Sequence, residues 1–437
     1  MPITGNKLLL DGVWVLLGKA VSMLSGLLVI AIITRLLSSS EVGFYFLCFS
    51  LVTILSVISQ LGLNLAVVRL IAESLSNGRH GHAASVAVLV LRIGTIAVIV
   101  ISCLALFFSF MHPPGIFERF SVDLQVIAVI LVWFSFITMQ GLISECLRGY
   151  HDVRSAALYG GMLPSLLSVT ALFVVWVSVD ESSIEMIIGI LSGAVFTSAV
   201  FGAVRLRRKM CLDQTTEKID LTGLLSIAWP MWTSNITVLL LTQADIWIIG
   251  SFLSVDDVAI YGSAARLVVV VSISLMIVNS VVSPVVADLF YRDKHGRLED
   301  IIRTGATLAA VPSLLAVLLF SFFGGQLLGI LYGPFYSSGY VILFVLSLGQ
   351  LFNVVSGPCG MVLLMTGHQR IMMAISISTS TMAIAASVFA AIHAGAIGVA
   401  AVFSAAIVVQ NMLMIYFVRR RVGISTFMNF RLAFPSV

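Results

Sequence analysis

Four ionisable residues stand deep inside long apolar stretches of this 437-residue chain: Lys19, Arg92, Asp245 and Arg266. A charge in such a setting costs roughly 2.5 to 3.5 kcal/mol on insertion scales unless it meets protein, water or a partner. Lys19 interrupts GVWVLLGKAVSMLSGLLVIAIIT, Gly12 to Thr34, which otherwise reads as a membrane span. Helical spacing puts Ser22, Gly26 and Thr34 near its face, with Ser25 beside them, whereas Val15, Leu24, Leu27 and Leu28 are apolar. That stripe suits a watery or substrate-lined lumen with Lys19 as a fixed point charge. The competing reading is a lysine that snorkels to the headgroups or pairs with a neighbour.

Arg92 lies in the third apolar stretch, from where a guanidinium either enters a lumen or snorkels. Asp245 and Arg266 lie ten residues before and eleven after Val255, at similar depth on antiparallel neighbours. They form either a structural ion pair or, facing a lumen, a switch in which an anionic substrate or a proton competes for one partner. Arg69 and Arg148 mark a cytoplasmic mouth, each with an acid one helical turn away, Glu73 and Glu145, which favours local pairing. Gln60, Asn64, Asn235, Gln350 and Asn353, with Ser56, Thr242 and Gly357, add polar positions inside spans. They bond a polar substrate or each other, the latter worth only about 0.6 kcal/mol on average.

The elements that must carry these residues follow from composition. With 59% hydrophobic and 10% charged residues and a mean hydropathy of +1.11, the chain reads as an integral membrane protein. The first apolar stretch has no small-residue cleavage site after it and is expected to stay as a span. A window of about 20 residues finds roughly twelve spans. They run approximately 9–35, 44–68, 84–110, 122–146, 156–179 and 184–204, then 222–250, 258–286, 304–330, 339–364, 371–392 and 396–418. Turn-forming residues near Pro113, Pro230 and Tyr332 blur three of the boundaries.

Basic residues set the orientation. Arg79, Arg154, the Arg205 to Lys209 run, Lys218, Arg292, Lys294, Arg297, Arg370 and Arg419 to Arg421 share one side. Glu41, Glu118, Asp180, Glu181, Glu185, Asp256 and Asp257 share the other, with little basic beyond Arg119. Both termini are therefore expected in the cytoplasm. The net charge of +4 follows from this bias and gives no reason to expect nucleic acid as a partner.

Chemistry of other kinds finds little support. Cys48, Cys103, Cys146, Cys211 and Cys359 show neither pairing nor metal spacing. His80 with His82, and His295 four residues before Glu299, read as solvated loop residues rather than metal ligands. No phosphate-binding GxxxxGK[ST] loop is present. No metal, cofactor or catalytic residue is expected.

An internal repeat organises the chain. LSSSEVGFY at Leu37 and LSVDDVAIY at Leu253 are 216 residues apart, and AESLSNGRHG at Ala72 and ADLFYRDKHG at Ala287 are 215 apart. Gly149 in LRGYHD matches Gly367 in MTGHQR after the fourth span of each half. The expected fold is all-α, with about 12 transmembrane helices in two six-helix halves related by a pseudo-two-fold axis along the membrane normal. The halves are bounded as 1–210 and 222–437, joined by a cytoplasmic linker at 211–221.

TRLLSSSEVGFY, LGLNLAVVRLIAE, QADIWIIGSFLSVDDVAIYGSAARL and GAIGVAAVFSAA resemble the polysaccharide transporter, or O-antigen flippase, family of the multidrug, oligosaccharidyl-lipid and polysaccharide exporter (MOP) superfamily. Ala259 departs from the glycine often found at that loop position. The resemblance implies a non-enzymatic flippase in a bacterial inner membrane. It would move undecaprenyl-diphosphate-linked oligosaccharide from the cytoplasmic to the periplasmic leaflet by alternating access. Its partners would be that substrate, membrane lipids and other polysaccharide-assembly proteins. A lipid-linked diphosphate carries about two negative charges and needs fixed cations in a dehydrated cavity. Lys19, Arg92 and Arg266 are the candidates, and Gln60, Asn64, Asn235, Gln350 and Asn353 would then bond sugar hydroxyls or one another. A cation-coupled multidrug or metabolite antiporter of the same superfamily would favour a more acidic lumen. A membrane glycan polymerase or glycosyltransferase would need larger loops than these.

Overall fold

The structure is a computed structural model and describes residues 5–111, 124–179, 182–210, 221–292 and 294–429. Pro113, Glu118, Arg119, Asp180, Glu181, Cys211 and Lys218 lie outside the described residues. The chain packs as two compact units, Met1–Leu240 and Leu241–Val437.

The first unit contains α1 (Gly5–Leu36), α2 (Ser39–Ser59), α3 (Leu63–Ser76), α4 (His80–Met111) and α5 (Leu124–Gly149). A short α6 (Val153–Ala157) widens into a π-helical turn, Leu158–Met162, before α7 (Leu163–Ser178) and α8 (Ile184–Lys209). The helix α9 (Leu221–Phe252) crosses the division at residue 240. The second unit continues through α10 (Val255–Tyr291), α11 (His295–Tyr332), α12 (Tyr340–Val355), α13 (Cys359–Met365) and α14 (Gln369–Arg421).

The chain is a multi-pass membrane protein. Ten helices among the described residues are long and apolar enough to cross a bilayer. The last of these, α14, has 53 residues and non-helical backbone at Gly395. At about 1.5 Å per residue a straight helix of that length would far exceed a hydrocarbon core of about 30 Å. The chain instead doubles back, since Gln410 Nε2 donates to Ser376 Oγ at 3.0 Å across 34 residues centred on that break. With α9 and the two arms of α14, the twelve-helix expectation is met.

Two expected spans are interrupted. The second, read as continuous over 44–68, stops at Ser59 and resumes at Leu63 through Leu61 (φ 49°) and Gly62 (φ 73°). A β-carbon on Gly62 would collide with the Ala228 carbonyl and lie 2.7 Å from the Trp232 nitrogen, so the close approach of α9 demands glycine. The tenth, read as 339–364, breaks at Ser356–Pro358 between α12 and α13.

The repeat is visible in the caps. Ser38 Oγ accepts from the Glu41 amide while Glu41 accepts from the Ser38 amide at 2.9 Å. The same reciprocal box joins Ser254 and Asp257, with both backbone-to-side-chain bonds at 3.1 Å. Each box starts the second helix of its half by satisfying otherwise orphaned amide donors. Cores then form within each unit, around Leu63, Val67, Leu142 and Leu147 in the first and around Val286, Ile302, Val362 and Val418 in the second.

A polar clasp closes the turn between α5 and α6. Asp152 caps α6 and accepts from Arg205 Nη2 at 2.8 Å, with Lys209 Nζ at 3.6 Å. Burial pushes its carboxyl up, but the bonds from Ser155 and Arg205 and the charges of Arg205 and Lys209 outweigh this and hold it below the usual range. A lowered folded pKa stabilises the fold above the unfolded value near 4 and ceases to do so as pH falls through the folded value. Asp152→Asn is therefore expected to cost about 1 kcal/mol at neutral pH. Thermal unfolding in detergent measures this, and the difference from the parent should shrink as the pH falls below the unfolded carboxylate value near 4 and through the folded one.

Candidate functional site

Lys19 is exposed, and among the described residues it enters no hydrogen bond or ion pair. The large exposed apolar residues of α1, Trp14, Leu17, Leu24 and Leu28, lie by helical geometry on the opposite side. Gly26, two turns along the lysine's own face, is also exposed, and a β-carbon there would meet nothing within 4 Å. The helix thus has two open faces of different chemistry. Between them Gly18 and Ser22 pack on Ala157 and Gly161, at the π-helical turn. That turn is pinned because the Tyr159 carbonyl accepts from Gln140 Nε2 at 2.7 Å and from Ser198 Oγ at 2.8 Å.

Arg92 is exposed in another setting. Ile96, Ile99 and Phe107, more than half exposed, follow it at helical spacing on one stripe of α4. Lys19 faces away from its helix's apolar surface, whereas Arg92 stands on that of its own. Arg148 pairs with Glu145 at 3.0 Å, as local spacing predicts. Arg69 does not pair with Glu73, and both are exposed.

The polar span residues of the first unit bond mostly to one another. Asn235 Nδ2 donates to Asn64 Oδ1 at 3.4 Å, and Gln60 Nε2 donates to Ser56 Oγ at 3.2 Å. Trp232 Nε1 donates to the Ile58 carbonyl at 3.1 Å, so α9 rests on the broken second helix. At the 216-residue repeat spacing, Asn235 is the counterpart of Lys19. A cation in one half corresponds to a neutral amide in the other.

In the second unit, Asp245 on α9 accepts a hydrogen bond from the fully buried Tyr261 on α10 at 2.9 Å. The charge of half-buried Arg266 acts on both Asp245 and Tyr332. Asp245 and Arg266 therefore share one polar cluster, and Tyr261 is the member that pattern reading passes over. The 216-residue counterparts of Asp245 and Arg266 are Val29 and Ser50, so this cluster belongs to one half alone. Asn353 Nδ2 donates to Gln350 Oε1 at 3.2 Å, and both line a cavity of about 300 Å³. His80 and His82, and His295 and Glu299, expected in loops, stand instead in the opening turns of α4 and α11, where His82 bonds Ser74 Oγ at 2.9 Å and Glu299 pairs with Arg303 at 3.0 Å.

Comparison with known proteins places the fold. A family model described as polysaccharide biosynthesis protein matches residues 8–290, and one described as MatE matches 230–389. No curated protein matches. Among solved structures, an inward-facing multidrug-resistance MATE transporter of the MOP superfamily superposes with a TM-score of 0.75 at 14% identity, covering 92% of this chain and 94% of that one. The lipid II flippase MurJ, in an inward closed conformation, gives 0.73 at 14% identity, covering 92% and 87%. A MOP superfamily transporter from Pyrococcus furiosus, described as having a binding pocket of reverse polarity, gives 0.62 at 16% identity, covering 94% of each chain.

Proposed function

Because this chain belongs to the polysaccharide biosynthesis protein family, within the MOP transporter superfamily, we propose that it is a flippase for undecaprenyl-diphosphate-linked oligosaccharide. It moves an O-antigen or other surface-polysaccharide unit from the cytoplasmic to the periplasmic leaflet of a bacterial inner membrane by alternating access, with both termini cytoplasmic. The observation that carries this reading is Lys19, a mid-span cation turned away from the apolar face of its helix and engaged by no described residue. An ammonium held there offers three donors and a full charge to a diphosphate leaving the headgroup region.

The other cations take graded roles. Arg69, exposed and not paired with Glu73, meets the diphosphate at the cytoplasmic mouth, while Arg148 is held by Glu145. Arg92 reaches along its apolar stripe towards the headgroups and steadies α4 in the bilayer. Arg266 with Asp245 and Tyr261 forms the cluster in which a proton or coupling ion competes with substrate. The carboxylate of that cluster and the MATE-like fold favour a second reading, a cation-coupled antiporter of small molecules.

Reconstitution separates the two. Proteoliposomes containing a defined undecaprenyl-diphosphate oligosaccharide should lose their inner-leaflet pool on addition of protein, and Lys19→Ala should not support that loss. Exchange of a cationic drug against protons or sodium, with the lipid-linked sugar left in place, would establish the antiporter and overturn the flippase.

A further inference from the structure

The polar lining of the second unit's cavity consists largely of carboxamides. Asn279 comes from α10, Gln350 and Asn353 from α12, and Gln410 and Asn411 from α14. Cys359 is the sole titratable side chain among the described lining residues, and its thiol donates to Asn411 Oδ1 at 3.2 Å. We propose that this cavity binds one uncharged sugar residue, a hexose or an N-acetylhexosamine, through its hydroxyl and acetamido groups. The proposal deepens the flippase reading and rests on it for the glycan as substrate.

The hydrogen-bond inventory selects the ligand. A carboxamide presents two donors and an acceptor. Within the cavity some of this capacity is used: Asn353 donates to Gln350, Gln410 to Ser376 and Asn411 to the Ile407 carbonyl. Donors and acceptors both remain. An anion would be matched by donors alone and a cation by acceptors alone, and no carboxylate is among the described lining residues to balance a cation. A sugar hydroxyl donates and accepts at once. Leu275, Ile407 and Met414 supply apolar surface for a ring face. The volume stands at the small end of ligand pockets, which suits a single ring rather than a chain.

A second observation is independent of composition. Asn279 Oδ1 is buried and has no hydrogen-bond partner among the described residues. Its counterpart at the 215-residue repeat spacing, Asn64, accepts from Asn235. The same position is satisfied within the protein in one half and left with an open acceptor in the other. A buried acceptor without a partner is costly, and a ligand hydroxyl would complete it.

The helix break contributes to the lining, through Gly357 and Pro358. Gly357, at φ 70°, has no room for a β-carbon, which would collide with the Thr426 carbonyl and lie 3.0 Å from Ala306 Cβ. The strand of chain after α14 is tied across the same place, with the Met428 amide donating to the Val355 carbonyl at 3.0 Å and the Asn429 amide to Thr307 Oγ1 at 3.1 Å. The break and its strap thus fix one wall of the cavity, which Gly357 and Pro358 line.

Saturation-transfer NMR on the full-length protein in detergent tests the proposal with glucose, galactose, N-acetylglucosamine and glucuronate, in sodium and in choline buffers. At least one neutral sugar should give a signal in both buffers, and glucuronate should give none. Asn279→Leu and Gln350→Met should each weaken the sugar by roughly tenfold, the cost of one or two hydrogen bonds. Either variant suffices if its thermal unfolding matches the parent. Binding of glucuronate alone, of sodium alone, or of sugar undiminished in a folded variant would overturn the site. Transport is read separately. Protein that flips lipid-linked oligosaccharide but shows no Asn279-dependent sugar binding loses the pocket only. Protein that binds sugar but flips nothing loses the flippase reading only.

Discussion

Lys19→Ala protein should insert and accumulate at least as well as the parent, yet export on the order of 10- to 100-fold less glycan, the loss expected for one charge-assisted contact to phosphate. The first half follows from the bilayer, because removing a mid-span cation lowers the insertion cost. The second follows from geometry, since Lys19 is exposed, makes no contact that its loss would orphan among the described residues, and faces away from Leu17, Leu24 and Leu28. Lys19→Arg should retain part of the activity, its planar head being a poorer match for a site shaped to a point charge. Lys19→Gln should behave like the alanine variant if charge is what matters. The measurement is export in cells normalised to membrane-inserted protein, together with lipid-linked oligosaccharide left in the inner leaflet. Parent-level export by Lys19→Ala would remove the diphosphate role.

Gly62→Val should be the most damaging single change in the first unit, lowering stability by about 4 kcal/mol or more and abolishing accumulation of folded protein. Two costs add there: the left-handed backbone at φ 73° and the collision with the Ala228 carbonyl. Gly78 provides the control, with φ 71° and nothing within 4 Å of a β-carbon. Gly78→Ala should bear only the backbone cost of about 1–2 kcal/mol. Unfolding in detergent measures both. Equal tolerance at the two positions would show that α9 does not need to approach the break so closely.

Much of the fold is written locally and can be read from the chain. Span number follows from apolar length, and the two second helices announce themselves by Ser38 with Glu41 and Ser254 with Asp257. The breaks at Gly62 and Gly357 were harder, because each sits inside an apolar run and depends on a carbonyl from a distant segment, Ala228 or Thr426. The site residues divide in the same way. Asp245 stands out as a charge in a span, but Tyr261, which bonds it, looks like any buried aromatic until the hairpin is closed. Glu145 pairs with Arg148 as spacing alone suggests, whereas Glu73 leaves Arg69 unclaimed by rotamer choices that no spacing encodes. Asn279, Gln410 and Asn411 become a set only when three helices converge. The repeat was legible in its caps, and the same spacing shows that its chemistry is unequal, Lys19 against Asn235.

The two open faces of α1 restrict how that helix can move. Rolling it half a turn about its own axis would carry Lys19 to where Leu24 and Leu28 now lie and bring those leucines to the lysine's side. Returning the ammonium to hydrocarbon would restore a penalty of roughly 2.5–3.5 kcal/mol, before counting the apolar surface newly set against a polar environment. Tilting, bending or sliding along the bilayer normal leaves both faces matched to their surroundings. The helix α1 is therefore an oriented lever, free in pitch and locked in roll, and its lysine keeps a constant bearing as the helix tilts.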